Sequence, residues 1–197
     1  MSSKFQQLEK SEASSVVGEL ARFCEAIHAP ADVAGAASLI CGRSVQKGLG
    51  RGRPPSLLAI ASLYAACREK AFPATLDDLA SASGAKSKKI ALQYRLLVNE
   101  LGLSMPVPNP LQYVARVAIA VHASDGVRSR AVRMILRAEE KGALSGMNPI
   151  GAAASALYLA SALEGERLTQ RRAAEAAGVR LATLRSAYLS LRRTCEV

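Results

Sequence analysis

The stretch "SLLAIASLYAAC" (Ser56–Cys67) and its counterpart "IGAAASALYLAS" (Ile150–Ser161) decide the fold of this chain. Each is apolar almost all round and rich in alanine, a side chain small enough to let neighbouring helices approach closely. A helix with no polar face belongs at the centre of a bundle, with other helices packed on every side. The two stretches also match each other. "LYAAC" at Leu63–Cys67 returns as "LYLAS" at Leu157–Ser161, an offset of 94 residues.

Working outward, the same gapless offset pairs Arg22 with Arg116, His28 with His122, and Lys47-Gly48 with Lys141-Gly142. It also pairs Gly52 with Gly146, Pro55 with Pro149, Thr75 with Thr169, Gly84 with Gly178, and Tyr94 with Tyr188. A register held that far without a gap marks a tandem duplication. The sequence therefore divides into a polar lead-in (1–13), a first copy (14–104) and a second copy (105–197), with the Pro-rich "SMPVPNP" (Ser104–Pro110) as linker.

Each copy reads as five helices. "VVGELARFCEAI", "SLLAIASLYAACR" and "IALQYRLLVNEL" carry apolar residues at three and four spacing, and Pro30, "GLGRGRPP", Phe72-Pro73 and Gly84 break the pattern between them. Strand-like alternation is nearly absent, so the expected class is all-α, a duplicated five-helix domain.

Composition narrows the function. The net charge is +10, and it grows along the chain: residues 105–197 hold thirteen basic side chains, twelve of them arginine, against seven acidic ones. Such an excess draws a protein to phosphate backbones or acidic partners, although a solvated basic surface would also account for it. No apolar run reaches the ~20 residues of a membrane span. The first residues, "MSSKFQQLEKSEASS", lack the apolar centre of a secretory signal, so the expected location is cytoplasmic, at the nucleoid, or nuclear in a eukaryote. Cys24, Cys41, Cys67 and Cys195 lie far apart with no C-x-x-C pair, which disfavours structural zinc and points to reduced thiols. His28 and His122 have no cluster of ligands around them, and Asp77-Asp78 follow Thr75 at a helix start, where the dipole favours carboxylates. "GLGRGRP" lacks the Lys-Ser/Thr of a P-loop. No catalytic constellation, cofactor motif or metal set emerges, so an enzyme is not expected.

The clearest functional signal is "RRAAEAAGVRLATLRSAY" (Arg171–Tyr188). Thr169 is a good N-cap, and Gln170–Ala177 make a helix of two turns with the small Ala174 at a helix crossing. Gly178 supplies the positive φ of a sharp turn, and Val179 fills the angle between the helices. Leu184, Tyr188 and Leu191 face inward at helical spacing, whereas Ala182, Arg185, Ser186 and Arg192-Arg193 face outward. That is the layout of a helix-turn-helix with an arginine-bearing recognition helix. Ala80, Gly84, Ile90 and Tyr94 repeat the spacing in the first copy, with Lys86, Lys88 and Lys89 outside. Lysine gives charge without bidentate base readout, so the copies share a fold and differ in task.

"SLYAACREKAFPATLDDLA", "YVARVAIAV", "RAEEKGALSGMNPIGAAASALYLASALEGERLTQRRAAEAAGV" and "ATLRSAYLSL" carry a further resemblance. From about Glu12 to Arg193 the chain resembles the C-terminal core of archaeal transcription initiation factor B, the homologue of eukaryotic TFIIB, built from two cyclin-like repeats. The resemblance implies a general transcription factor core that binds TATA-binding protein and promoter DNA. Its second-repeat helix-turn-helix would read the B recognition element, with base contacts at Ala182 and Arg185. Gln170, Arg171, Thr183 and Ser186 would lie nearby as backbone or flank contacts, with Arg180 at the recognition helix start.

Arg51 and Arg53 fall where the family places a DNA-touching loop. Lys88, supported by Lys86 and Lys89, falls where it faces TATA-binding protein. Val is usual in the family where Ala182 stands, Thr-Glu where Arg180-Leu181 stand, and "KKEIGR" where this chain has "SKKIAL". The family also carries an N-terminal zinc ribbon that docks RNA polymerase, with no counterpart here. The chain reads either as an excised core or as a paralogue that regulates or sequesters TATA-binding protein without recruiting polymerase. A cyclin-like module acting on protein partners is the alternative. A tandem core needs no dimer, so a monomer is expected, with no membrane partner.

Overall fold

The computed structural model describes residues 2–195, with side chains described for residues 14–194. Among the described residues there are ten α-helices and no strand. They are α1 (Ser2–Ala26), α2 (Ala31–Gln46), α3 (Pro55–Glu69), α4 (Leu76–Ser83), α5 (Ser87–Leu101), α6 (Leu111–Val121), α7 (Asp125–Glu140), α8 (Pro149–Leu163), α9 (Gln170–Ala177) and α10 (Leu181–Cys195). Five belong to each of two compact units, one ending at Val107 and the other beginning at Pro108. The polar lead-in that the sequence sets apart is helical from Ser2 and continuous with α1.

The ends of the helices follow from local chemistry. Thr75 and Asp78 form a capping box: the Asp78 amide donates to Thr75 Oγ1 at 3.1 Å, and the Thr75 amide donates to Asp78 Oδ2 at 2.7 Å. Ser124, Asn148 and Thr169 cap α7, α8 and α9 by accepting from Val127, Gly151 and Arg172 amides. Each such cap contributes about 1 kcal/mol. Pro55 and Pro149 open α3 and α8, where a missing N–H costs nothing.

The apolar helices take the central places. Within its own unit α3 packs against α1, α2, α4 and α5, and α8 packs against α6, α7, α9 and α10. From Gly151 to Ser161 every residue of α8 except Tyr158 is buried, as is every residue of α3 from Leu58 to Cys67 except Tyr64. Those two tyrosines occupy equivalent positions, and each meets the tyrosine of its unit's last helix edge-on. Tyr64 and Tyr94 have ring centroids 4.8 Å apart, and Tyr158 and Tyr188 5.5 Å apart. Edge-to-face pairs of this kind add about 0.5–1.5 kcal/mol beyond area burial.

Backbone detail repeats as well. His28 and His122 both sit in the left-handed region, at φ 51° and 57°, closing the first helix of their copy. Lys47 Nζ donates to the Glu100 carbonyl, and Lys141 Nζ donates to the Thr194 carbonyl at 2.9 Å, so an equivalent lysine closes the last helix of each unit. Cys24, Cys41 and Cys67 are free thiols in or beside the first core, whereas the Cys195 side chain lies outside the described ones. Burial raises all three thiols, and Cys67 is pushed up to about 12 by burial and by its neighbour Cys24.

Candidate nucleic-acid interface

The second unit closes on α9, a tight turn and α10. Ala173, Ala174 and Ala177 give α9 a buried face with no bulk, so it lies close to its neighbours. Gly178 stands at φ 65°, and the Val179 amide then donates to the Ala174 carbonyl at 3.0 Å. A residue with a Cβ resists that conformation by about 1–2 kcal/mol. Val179 is half-buried against the core, as the turn requires. Leu184 and Leu191 are fully buried, and Ala187 nearly so. The α10 backbone is also fastened from below. Ser155 Oγ bonds to the Leu184 carbonyl at 2.8 Å and to the Gly151 carbonyl at 2.7 Å, joining central helix to outer helix.

Ala182, Arg185, Ser186, Arg192 and Arg193 are exposed on the opposite face of α10. Arg185 is not a loose side chain. Its Nε donates to Gln170 Oε1 at 3.2 Å, across the turn and fifteen residues away. With Nε engaged, the two terminal Nη groups carry the remaining donors of the guanidinium. A guanidinium held this way keeps a fork for an acceptor pair. Arg171 lies exposed on α9 and pairs with Glu175 at 2.8 Å; this hydrogen bond and the neighbouring charge raise its pKa further. Thr183 is half-buried, and its methyl sits against α8: a Cβ added to Gly151 would lie 3.0 Å from Thr183 Cγ2. Arg180 is exposed at the N-cap position of α10, where its carbonyl accepts from the Thr183 and Leu184 amides. Its guanidinium carries donors only and accepts from no amide of the first turn.

The first unit uses the same turn, with Gly84 at φ 68°, and a different surface. Lys86, Lys88 and Lys89 are all exposed at the start of α5. Arg53 is exposed and tethered: its Nη1 donates to Gln93 Oε1 and, at 3.4 Å, to the Leu49 carbonyl. Gln93, buried, donates from Nε2 to the same Leu49 carbonyl at 3.0 Å. The loop before α3 is thereby tied to α5. Arg51 is exposed, and its side chain lies over Gly48, where an added Cβ would meet Arg51 Nε at 3.1 Å. Among the described residues no group of three or more His, Cys, Asp and Glu could hold a metal ion.

Residue patterning picked out Arg185, and the family resemblance Gln170; neither showed that they bond. Nor did either find Ser155 or Gln93, whose roles depend on which carbonyl a neighbouring helix presents. A polar residue inside an otherwise apolar helix was the available sign for Ser155.

Tandem five-helix units, the second ending in an arginine-bearing helix-turn-helix, define a duplicated all-α protein. The transcription factor TFIIB repeat model matches residues 9–100 and again 103–194, and the chain belongs to that family. It is 42% identical over 175 residues to a transcription initiation factor IIB of Archaeoglobus fulgidus, covering 89% of this chain and 54% of that protein. It is 39% identical over 173 residues to a relative of the same name from Pyrodictium occultum, covering 88% and 56%. A third, from Saccharolobus shibatae, is 38% identical over 184 residues, covering 93% and 60%. The chain thus spans a little over half the length of the curated relatives it matches. A solved viral cyclin from herpesvirus Saimiri aligns over 95% of this chain and 85% of that one at 10% identity, with a TM-score of 0.42, too distant to carry an argument.

Proposed function

We propose that this chain is a core of a general transcription initiation factor that binds promoter DNA together with TATA-binding protein, and has no catalytic role. The observation that carries the reading is the exposed face of α10, where Arg185 is held by Gln170 beside Ala182 and Ser186. A recognition helix entering the major groove needs side chains whose orientation is fixed before contact. Arg185 would take the paired acceptors of a guanine through its Nη edge, and Ala182 would meet a thymine methyl. Arg180, Ser186, Arg171 and Gln170 would serve the flanks, and Thr183 would contribute mainly by seating α10 on α8. In the first unit, Lys86, Lys88 and Lys89 form an exposed basic cluster suited to an acidic protein surface, the part assigned here to TATA-binding protein. Arg51 and Arg53, both exposed, would reach DNA from the loop before α3.

A gel-shift series on a TATA-containing promoter duplex, with and without TATA-binding protein and at several salt concentrations, tests the reading. Cooperative binding that weakens steeply with salt is expected, because phosphate contacts dominate affinity. Equal binding with and without TATA-binding protein would replace it with an independent DNA binder. No binding to DNA under either condition would replace it with a module acting on protein partners.

A further inference from the structure

The segment that joins the two units alternates proline with other residues: Pro106, Pro108 and Pro110, with Val107 and Asn109 between them. Each residue from Met105 to Pro110 is therefore either a proline, with φ fixed at about −65°, or the residue before one, held to extended backbone. Such a run behaves as a short strut rather than a flexible tether.

Both ends of the strut are fastened, each within its own unit. In the first unit, Leu103 and Met105 are half-buried against the core, and Arg68 on α3 donates from Nη2 to the Pro106 carbonyl at 3.1 Å. In the second, Pro110 is buried, and Asn109 Oδ1 accepts from the Leu111 amide at 2.8 Å while its Nδ2 reaches Glu139 on α7 at 3.5 Å. Between the fastened residues stand only Val107 and Pro108, the last residue of one unit and the first of the other. Val107 is 89% exposed, so no core holds it. At the 94-residue offset Arg68 is matched by Ala162, so duplication alone does not account for the guanidinium.

We propose that Arg68 is a positioning residue for binding at two points. By clamping the strut at Pro106 it restricts how the lysine cluster of the first unit and the α10 face of the second engage one promoter assembly together. The inference rests on the reading of the two units as contacts for DNA and TATA-binding protein. Once one unit has bound, the other binds from the same chain, at an effective concentration set by the length and stiffness of what joins them. A stiff joint raises that concentration where the geometry matches and lowers it elsewhere. The Pro106 carbonyl bond limits rotation at one end of the joint, and the Asn109 turn at the start of α6 limits it at the other. The distance between the TATA box and the segment met by α10 thereby becomes a criterion that neither surface reads alone.

The test compares the full chain with Arg68→Ala and Pro108→Gly on TATA-containing duplexes, with TATA-binding protein present. The sequence upstream of the TATA box is shifted outward by one or two base pairs across the series. Neither residue is buried, and thermal melts followed by circular dichroism verify that both variants keep the parent's fold. The parent is expected to bind best at one spacing. Arg68→Ala is expected to lose about three- to tenfold there, the scale of one net hydrogen bond, and less at the shifted spacings, so that its profile is flatter. Pro108→Gly is expected to flatten the profile in the same sense with no change of charge. A guanidinium that served only as positive charge near phosphate would lower affinity by one factor at every spacing. That result for Arg68→Ala, or parent-like profiles for both variants, overturns the positioning role and leaves the proposed function in place. A parent that binds every spacing equally, while still strengthened by TATA-binding protein, overturns it too. A parent that gains nothing from TATA-binding protein brings down the proposed function, and the positioning role with it.

Discussion

Arg185 and Gln170 are joined by a 3.2 Å hydrogen bond that crosses from the second helix of the helix-turn-helix to the first residue of the other. The bond fixes the guanidinium plane relative to the turn, so removing either partner has a distinct consequence. Gln170→Ala leaves the charge and frees its direction. The expected result is nearly unchanged total affinity with discrimination reduced by about three- to tenfold, the scale of one net hydrogen bond. Arg185→Ala removes the reader itself and costs about 1–3 kcal/mol of discrimination at one base pair. Binding titrations on duplexes substituted one base pair at a time separate the two, and equal profiles for both variants would sink the positioning role.

Leu184, like Leu191, is a fully buried anchor of α10 in the core of the second unit. Leu184→Ala is expected to destabilise the second unit by about 2–5 kcal/mol, through lost burial and the cavity left behind. Urea denaturation followed by circular dichroism reads this directly. A change under about 1 kcal/mol would mean that the helix is held mainly by other contacts.

Gly178 sits at φ 65° with nothing near enough to clash with an added Cβ. The cost of Gly178→Ala is therefore conformational alone, about 1–2 kcal/mol. Gly84→Ala, at φ 68° and equally unobstructed, should cost the same within a few tenths. Matching melting shifts for the two variants would establish the turn as one inherited device.

Cys67 has its thiol pushed up to about 12 from an ordinary 9.0 by burial and then by Cys24. A raised acid pKa means that the folded state holds its proton more tightly than the unfolded chain. The contribution is complete below pH 9 and is lost as pH climbs from there towards 12. Lysines and tyrosines titrate in the same window, so the measurement is the difference between the parent and Cys67→Ala. That difference in unfolding free energy should shrink steadily above pH 9, and a flat difference would contradict it. At pH 8 a bulky thiol reagent should leave Cys67 untouched until the protein unfolds.

Much of the molecule was legible in residue order. The 94-residue offset, the all-round apolar character of α3 and α8, and the Thr–Gly spacing around α4 and α9 are statements about periodicity and caps, which are local. The limits of α9, Gln170–Ala177, follow from Thr169 and Gly178 alone. The exposed face of α10 was equally plain, because helical spacing fixes which residues share a side.

What the sequence left open depends on distances between segments far apart in the chain. Arg51 and Arg53 read as twins in "RGR", yet only the packing of α5 shows that Arg53 bonds to Gln93. Ser155 reads as one more small residue of an apolar helix, and becomes a clamp only because the Leu184 carbonyl passes 2.8 Å from it. Periodicity and capping determined which helices form and which faces turn outward, since both are set within a few residues. Side-chain partners were decided by tertiary structure, since a hydrogen bond needs two groups within about 3 Å, and only the folded chain brings them there.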